Sequence, residues 1–236
     1  MTCVLVLGVG TLGASTVTVF ETASTVKDTA GDPVNAKATF VIDANGKLTL
    51  TLENLQTNMK DVGQAITGVK FTVSNLSAAA TLSATSGDLI KVGSQGTVTD
   101  QGVQSLSLWS AGTSLHTVSL AGLPKDTILG PSNNGVYSSG NGSIDSNKGH
   151  NPFVAGTATF VFNALPGYNS GTTISDVLIG FGTAGNNYLV ATVVTPAPPV
   201  DYTTTPEPST FGLLGISIAA LLVLRKRIIA GTPQRV

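Results

Sequence analysis

The chain has 236 residues, of which 42% are hydrophobic and 11% are charged, and its formal net charge is −1. Low charge combined with moderate hydrophobicity excludes a disordered acidic or basic chain. Eight lysines and eleven acidic residues between Ala14 and Val200 make the body mildly acidic, which argues against nucleic acid as a partner. The single cysteine, Cys3, excludes an internal disulfide and a Cys/His zinc site. We expect no metal and no cofactor.

Residues 1–15 are typical of a secretory signal segment. Cys3 to Ala14 is an apolar run of the length of a signal-peptide core, and it ends in small residues that suit a peptidase. The run also contains Gly8-Val9-Gly10-Thr11-Leu12-Gly13, which matches the G-x-G-x-x-G dinucleotide fingerprint. That fingerprint requires a helix next, whereas residues 16–20 alternate like a strand, so the context favours the signal segment.

Residues 16–194 carry the pattern of an all-β ectodomain. Alternating or apolar runs predict strands at 16–20, 38–42, 47–52, 69–73, 106–108, 118–120, 158–162, Ile174–Phe181 and Tyr188–Val194. Asn45-Gly46 between two of these runs is a strong hairpin signal, after which Leu48, Leu50 and Leu52 should face a core. About nine or ten short strands without intervening helices predict a single antiparallel β-sandwich, similar to a jelly roll.

A long polar loop, residues 133–152, interrupts the predicted strands. Loops of this length are uncommon in compact domains unless they have a function or are packed by their own side chains. The loop holds the candidate ligand residues of the ectodomain, which are Tyr137, Asp145, Asn147, His150 and Asn151. Asp145-Ser146-Asn147 resembles the start of a calcium loop, but the later ligand positions are missing. Asp and Asn in loops more often form Asx turns.

Little in the body favours catalysis. Its two histidines, His116 and His150, have no nucleophile-elbow motif beside them, and hydrogen bonding to backbone carbonyls is the simpler role for His150. Glu21 and Glu53 are the only glutamates before the C-terminal region, which argues against a carboxylate pair for glycoside hydrolysis. We therefore assign no catalytic residue and expect a non-enzymatic protein.

Carbohydrate binding is harder to exclude than catalysis. Aromatic platforms for sugars could come from Trp109, Tyr137 or Tyr168, although core packing is the commoner fate of a lone tryptophan.

Residues 195–236 divide into three segments. Residues 195–209 are rich in proline and threonine and predict an extended linker. Residues 210–227 predict a short transmembrane helix, made of an apolar run at 211–224 and a basic stop of Arg225, Lys226 and Arg227. The basic stop should remain cytoplasmic, with residues 228–236 as a cytoplasmic tail and the ectodomain outside.

This C-terminal region resembles the PEP-CTERM sorting signal. The residues that carry the resemblance are Pro206-Glu207-Pro208-Ser209, the apolar run and the basic stop, in that order. The resemblance implies an exported protein whose signal is recognised and processed by an exosortase, an integral-membrane protease. The protein would be anchored in the inner membrane through its helix before processing, and would then reach the cell surface or the extracellular space.

The body is also similar to an ectodomain type that recurs among PEP-CTERM proteins. The matching segments are 50–54, 66–71, 128–131, 150–153, 174–177 and 181–183. This resemblance implies fold and location only. The ectodomain is expected to be a structural or adhesive component of the surface or matrix. The alternatives are a module that binds the exopolysaccharide of the matrix, or an exported hydrolase.

Overall fold

The computed structural model describes residues 15–185 and 187–194, and these residues consist mainly of β-strands and turns. Twelve strands follow in chain order: β1 (Thr16–Thr22), β2 (Ala36–Ile42), β3 (Lys47–Asn54), β4 (Ile66–Val73), β5 (Leu82–Val92), β6 (Val98–Gln104), β7 (Trp109–Ser114), β8 (Thr117–Gly122), β9 (Ile128–Leu129), β10 (Phe153–Ala164), β11 (Ile174–Phe181) and β12 (Tyr188–Val194). In this part of the chain the only helical segments are two 3-10 turns, Val62–Gln64 and Ser94–Gly96. The prediction of an all-β domain is confirmed.

All described residues belong to one compact unit, which lies within Met1–Pro196. The predicted signal segment, except Ser15, and the predicted linker, transmembrane helix, basic stop and cytoplasmic tail lie outside the described residues.

Eight of the twelve strands form a closed ring. Their order is β10-β3-β2-β1-β12-β11-β4-β9, and β9 returns to β10. The short strand β9 closes the ring, because Ile128 pairs in parallel with Val154 of β10 and antiparallel with Ile66 of β4. The predicted antiparallel β-sandwich of jelly-roll type is therefore wrong, and the fold is a closed eight-stranded β-barrel.

The error has a physical cause. Alternating apolar residues specify which face of a strand is buried, and both a sandwich and a barrel satisfy that pattern. Two features close the sheet into a barrel. The first strand pairs with the last, at Val19 and Val194, and the ring is completed by a two-residue strand that is too short to show an alternating pattern. Two hairpins extend beyond the ring, β5-β6 from β10 and β8-β7 from β4.

The predicted hairpin between β2 and β3 is present. Asp43 Oδ1 accepts hydrogen bonds from the backbone N–H groups of Asn45 and Lys47, at 2.8 and 2.9 Å. Gly46 has a φ of +78°, a conformation that favours glycine. The turn places Leu48, Leu50 and Leu52 inside the barrel, where all three are fully buried, as predicted.

Aromatic side chains fill the centre of the barrel. Phe71 lies between Phe40 and Phe162, with ring-centroid distances of 4.9 and 6.2 Å and edge-to-face geometry. A second, smaller apolar cluster lies under the long loop and contains Met59, Val62, Ala65, Ile90, Val92, Leu129, Tyr137, Ile144 and Phe153.

One predicted strand is wrong. Residues 106–108 form a turn between β6 and β7, in which Trp109 donates its backbone N–H to Leu106 O. Leu106 is buried and Leu108 is 42% exposed, so these two leucines do not share a buried face. Strands β5, β6, β7 and β9 were not predicted, because they carry glycine and polar residues or are too short for a period.

The barrel has two distinct ends. At the exit end β1 begins and β12 finishes, and the paired residues Val73 and Ile174 lie at this end. At the loop end lie Ile66, Ile128 and Phe181, together with the first residues of β10.

Candidate functional site

The long loop, residues 133–152, packs over the loop end of the barrel. Backbone bonds attach it on two sides, since Asn141 donates to Lys60 O at 2.7 Å and Ser146 donates to Val92 O at 3.1 Å. Ser143 Oγ adds a third attachment by accepting the N–H of Val62 at 2.9 Å. The loop is thus an ordered cap held by the segment before β4 and by the end of β5.

Tyr137, a candidate ligand residue, is part of the apolar cluster below this loop. It is 2% exposed, and its hydroxyl donates to Gly130 O at 2.7 Å. Burial raises the pKa of Tyr137, so the phenol stays neutral at any physiological pH. Its ring is consequently not displayed to a ligand in this conformation.

The candidate residues Asn147, His150 and Asn151 bond to the backbone. Asn147 Oδ1 accepts the N–H groups of Gly149 and His150 at 2.9 and 3.2 Å, which is an Asx turn. His150 Nδ1 lies 3.0 Å from Pro124 O. Asn151 makes three bonds: its Oδ1 accepts from Val92 N at 2.8 Å, and its Nδ2 donates to Val92 O and Asn147 O at 3.1 and 3.0 Å.

Asp145 differs from these neighbours. Its Oδ1 is buried and has no hydrogen-bond partner among the described residues. A Cβ placed on Gly140 would lie 2.8 Å from this oxygen, so the carboxylate packs against the turn formed by residues 137–140. The structure brings the five candidate residues into one loop and uses most of their polar groups internally. Ligand binding by them stays a prediction.

An open polar cleft of about 580 Å³ lies beside the loop. It is lined by Thr57, Asn58, Pro131, Ser132, Asn133, Ser138 and Ser139. The polar lining groups are hydroxyls and amides without formal charge, and Pro131 adds apolar surface. Ser139 Oγ donates to Asn58 Oδ1 at 2.6 Å. These residues come from three separate segments of a chain rich in serine and asparagine, so no local sequence signal marks the cleft.

The aromatic candidates for sugar stacking lie inward. Trp109 is 4% exposed, packs against Phe160 at a centroid distance of 4.7 Å and donates its indole N–H to Asp126 O at 2.8 Å. Tyr168 is partly buried against the core. Neither ring, nor that of Tyr137, forms an exposed platform.

The residues considered for hydrolysis are spread over the barrel. His116 lies at the exit end, where its carbonyl accepts the N–H of Val73, whereas His150 lies at the loop end. Glu21 and Glu53 both neighbour Lys37 across the strands, and Glu53 forms an ion pair with it. Within residues 15–185 and 187–194, no three His, Cys, Asp or Glu side chains gather as a metal-binding group.

Two acidic side chains have perturbed ionisation. Burial raises the pKa of Asp126, partly offset by a hydrogen bond from the Leu108 backbone and by the charge of Lys125. The pKa of Asp88 is also raised, first by burial and then by the nearby carboxylate of Asp100 on the adjacent strand. Asp88 Oδ1 has no partner among the described residues, so the pair is a point of local repulsion.

The candidate sorting residues, Pro206 to Ser209 and the basic stop, lie outside the described residues, as does the predicted transmembrane helix. In the part of the chain that the structure describes, no helix is long and apolar enough to cross a membrane.

Comparison with known proteins identifies the C-terminal region. Residues 204–227 match the family model described as the PEP-CTERM protein-sorting motif. The motif is the substrate signal of exosortase, a membrane protease, and it implies an exported protein that is sorted at the membrane through its C-terminal region. The chain is a PEP-CTERM sorting domain-containing protein. No curated protein and no solved structure matches the chain significantly.

Proposed function

We propose that the barrel is a non-enzymatic module of the bacterial surface or extracellular matrix, with a structural or adhesive role. The observation that carries the proposal is the sorting motif at residues 204–227, which implies export of the barrel. The internal use of polar groups in the loop supports a structural role: Asn147, His150 and Asn151 hold the cap together. Side chains committed in this way cannot move freely in a catalytic cycle.

Processing is the finer part of this proposal. Pro206-Glu207-Pro208 would be the recognition site, since prolines keep a backbone extended and accessible to a protease. Arg225, Lys226 and Arg227 would hold the other end on the cytoplasmic side, because moving that charge across a bilayer is costly. After processing, the barrel would remain at the cell surface or in the matrix.

The test uses the full-length chain in a host that has an exosortase. Replacing Pro206, Glu207 and Pro208 together by alanine should leave export intact and block processing, so that the unprocessed chain accumulates in the membrane fraction. Fractionation with immunoblotting against the barrel and against an epitope at the C-terminus measures this. Processing and release of the variant at the rate of the parent would contradict the sorting step.

The structural role needs a separate measurement. Deleting the gene should weaken cohesion of the cell layer, and the parent chain should restore it while the triple-alanine variant does not. A deletion strain with unchanged cohesion and surface hydrophobicity would count against the structural or adhesive role, as would turnover of a matrix polymer by the purified protein.

The polar cleft favours carbohydrate binding as a second function. Neutral hydroxyl and amide groups can exchange hydrogen bonds with sugar hydroxyls, and the cleft is open enough for a polymer segment. Asn133→Ala removes one amide from the cleft, and Asn163→Ala, an exposed asparagine at the end of β10, is the control. Sedimentation with purified exopolysaccharide should weaken for the first variant only. Equal binding by both variants would exclude the cleft as the carbohydrate-binding site.

A further inference from the structure

The connection between β1 and β2 presents an unusual carboxylate at the loop end. Asp28 uses one oxygen, Oδ1, to accept the backbone N–H groups of Ala30 and Asp32, both at 2.9 Å. Its second oxygen, Oδ2, is buried and has no hydrogen-bond partner among the described residues. The residue is only 8% exposed. A buried carboxylate oxygen without a partner is costly, which points to a ligand that would satisfy it.

A second carboxylate converges on the same place. Asp61 precedes the 3-10 turn Val62–Gln64, and its Oδ1 accepts the N–H of Gly63 at 2.8 Å. A Cβ placed on Gly63 would lie 2.7 Å from this oxygen and 2.8 Å from Oδ2 of Asp28. The two oxygens are therefore within about 5.5 Å of each other. Two oxygens that bind one calcium ion at roughly 2.3–2.6 Å are separated by at most about 5 Å, so a shift of about half an ångström or less brings both within reach of one ion.

The surroundings keep an excess of negative charge. Lys60 Nζ bonds Asp32 Oδ1 at 2.8 Å, and its side chain is 59% exposed. Among the described residues, no other ion pair involves the carboxylates of Asp28, Asp32 or Asp61. Three carboxylates thus share one exposed ammonium group, which is bonded to Asp32 and leaves Asp28 Oδ2 unpaired.

We propose that Asp28 and Asp61 are the side-chain ligands of a calcium site at the loop end of the barrel. All donors are oxygens, which suit a hard cation, and the remaining ligands would be backbone carbonyls and water. No third acidic side chain joins these two among the described residues in a metal-binding geometry. The site therefore belongs to the weak class of extracellular modules, with a Kd of about 10⁻⁴ to 10⁻³ M. This inference does not depend on the proposed function of the barrel.

Calcium titration of the full-length protein tests the site. Isothermal titration and thermal unfolding are followed with CaCl₂ against NaCl at equal ionic strength. Asp28→Asn keeps the shape of the side chain and removes its charge, and we expect it to lower the calcium affinity at least tenfold. Asp176→Asn is the matched control, because Asp176 lies in β11 near the exit end of the barrel, away from Asp28 and Asp61, and its positive φ of +50° suits asparagine as well as aspartate. This control should bind calcium as the parent does.

A second variant covers the case in which Asp28→Asn does not fold. Asp61→Asn changes a more exposed carboxylate, and it should also lower the affinity at least tenfold. The proposal is overturned if the parent shows no saturable binding up to about 10 mM CaCl₂, a concentration well above the Kd of weak extracellular sites. Parental affinity in the folded Asp28 or Asp61 variant overturns it too, as does loss of binding in Asp176→Asn.

Discussion

Asn151 provides the most direct test of how the long loop is held. Asn151→Ala removes three hydrogen bonds, two to the backbone of Val92 and one to Asn147 O. Each bond contributes about 1 kcal/mol net, and the N–H of the buried Val92 also loses this acceptor. We therefore expect the free energy of unfolding to fall by about 3 kcal/mol. For a domain of this size, that lowers Tm by roughly 6–12 °C.

The assay is urea unfolding of the full-length protein followed by tryptophan fluorescence. Trp109 is the only tryptophan in the chain and is buried, so its emission reports loss of the core. Asn133→Ala is the matched control, since Asn133 is an exposed asparagine of the same loop without a side-chain hydrogen bond to the described residues. It should change stability by less than about 0.5 kcal/mol. Equal midpoints for the two variants would refute the account of the loop as a bonded cap.

Three further predictions concern the core, the acidic pair and the basic stop. Phe71→Ala should cost about 3–5 kcal/mol, because it empties the centre of the barrel. Its urea midpoint should fall far below that of Val103→Ala, which changes a 75% exposed side chain, and similar midpoints would contradict the packed interior. Asp88→Asn should raise Tm at pH 7, because burial and Asp100 raise the pKa of Asp88 in the folded state and so disfavour its charged form. At pH 7 the variant should be more stable than the parent by about 0.5 kcal/mol or less, because solvent screens the interaction. As the pH falls through the raised pKa, Asp88 of the parent becomes protonated and the parent loses its disadvantage, so the difference in stability should vanish near pH 3. A gain that persists at pH 3 would show another cause. Replacing Arg225, Lys226 and Arg227 with glutamine should reduce retention in the membrane fraction on fractionation, and unchanged retention would argue against their role as a stop.

Local features of the fold were predictable where the residues that decide them are adjacent. The β2-β3 hairpin follows from Asp43, Asn45 and Gly46, whose side chain and backbone preferences act within one turn. The pairing of β1 with β12 joins residues at opposite ends of the domain. Alternation carries no information about that pairing, and for this reason the barrel was mistaken for a sandwich.

The candidate site shows the same limit. The length and composition of residues 133–152 marked the loop correctly as unusual, but composition does not say where an amide points. Asn151 bonds to Val92, a residue 59 positions earlier, so its structural role depends on tertiary contacts. The convergence of Asp28 and Asp61 on Gly63 likewise joins two turns that look ordinary in the sequence.

The position of the exit end gives the domain a polarity. β12 finishes beside the beginning of β1, so the chain leaves the barrel toward the sorting motif from the end opposite the cap. A strand of about seven residues spans roughly 23 Å, which separates the point where the chain leaves the barrel from the cap, the polar cleft, Asp28 and Asp61. Any partner that binds at the loop end would therefore lie about one strand length away from the point where the chain leaves the barrel. An epitope inserted into the cap would therefore lie far from the point where the chain leaves the barrel.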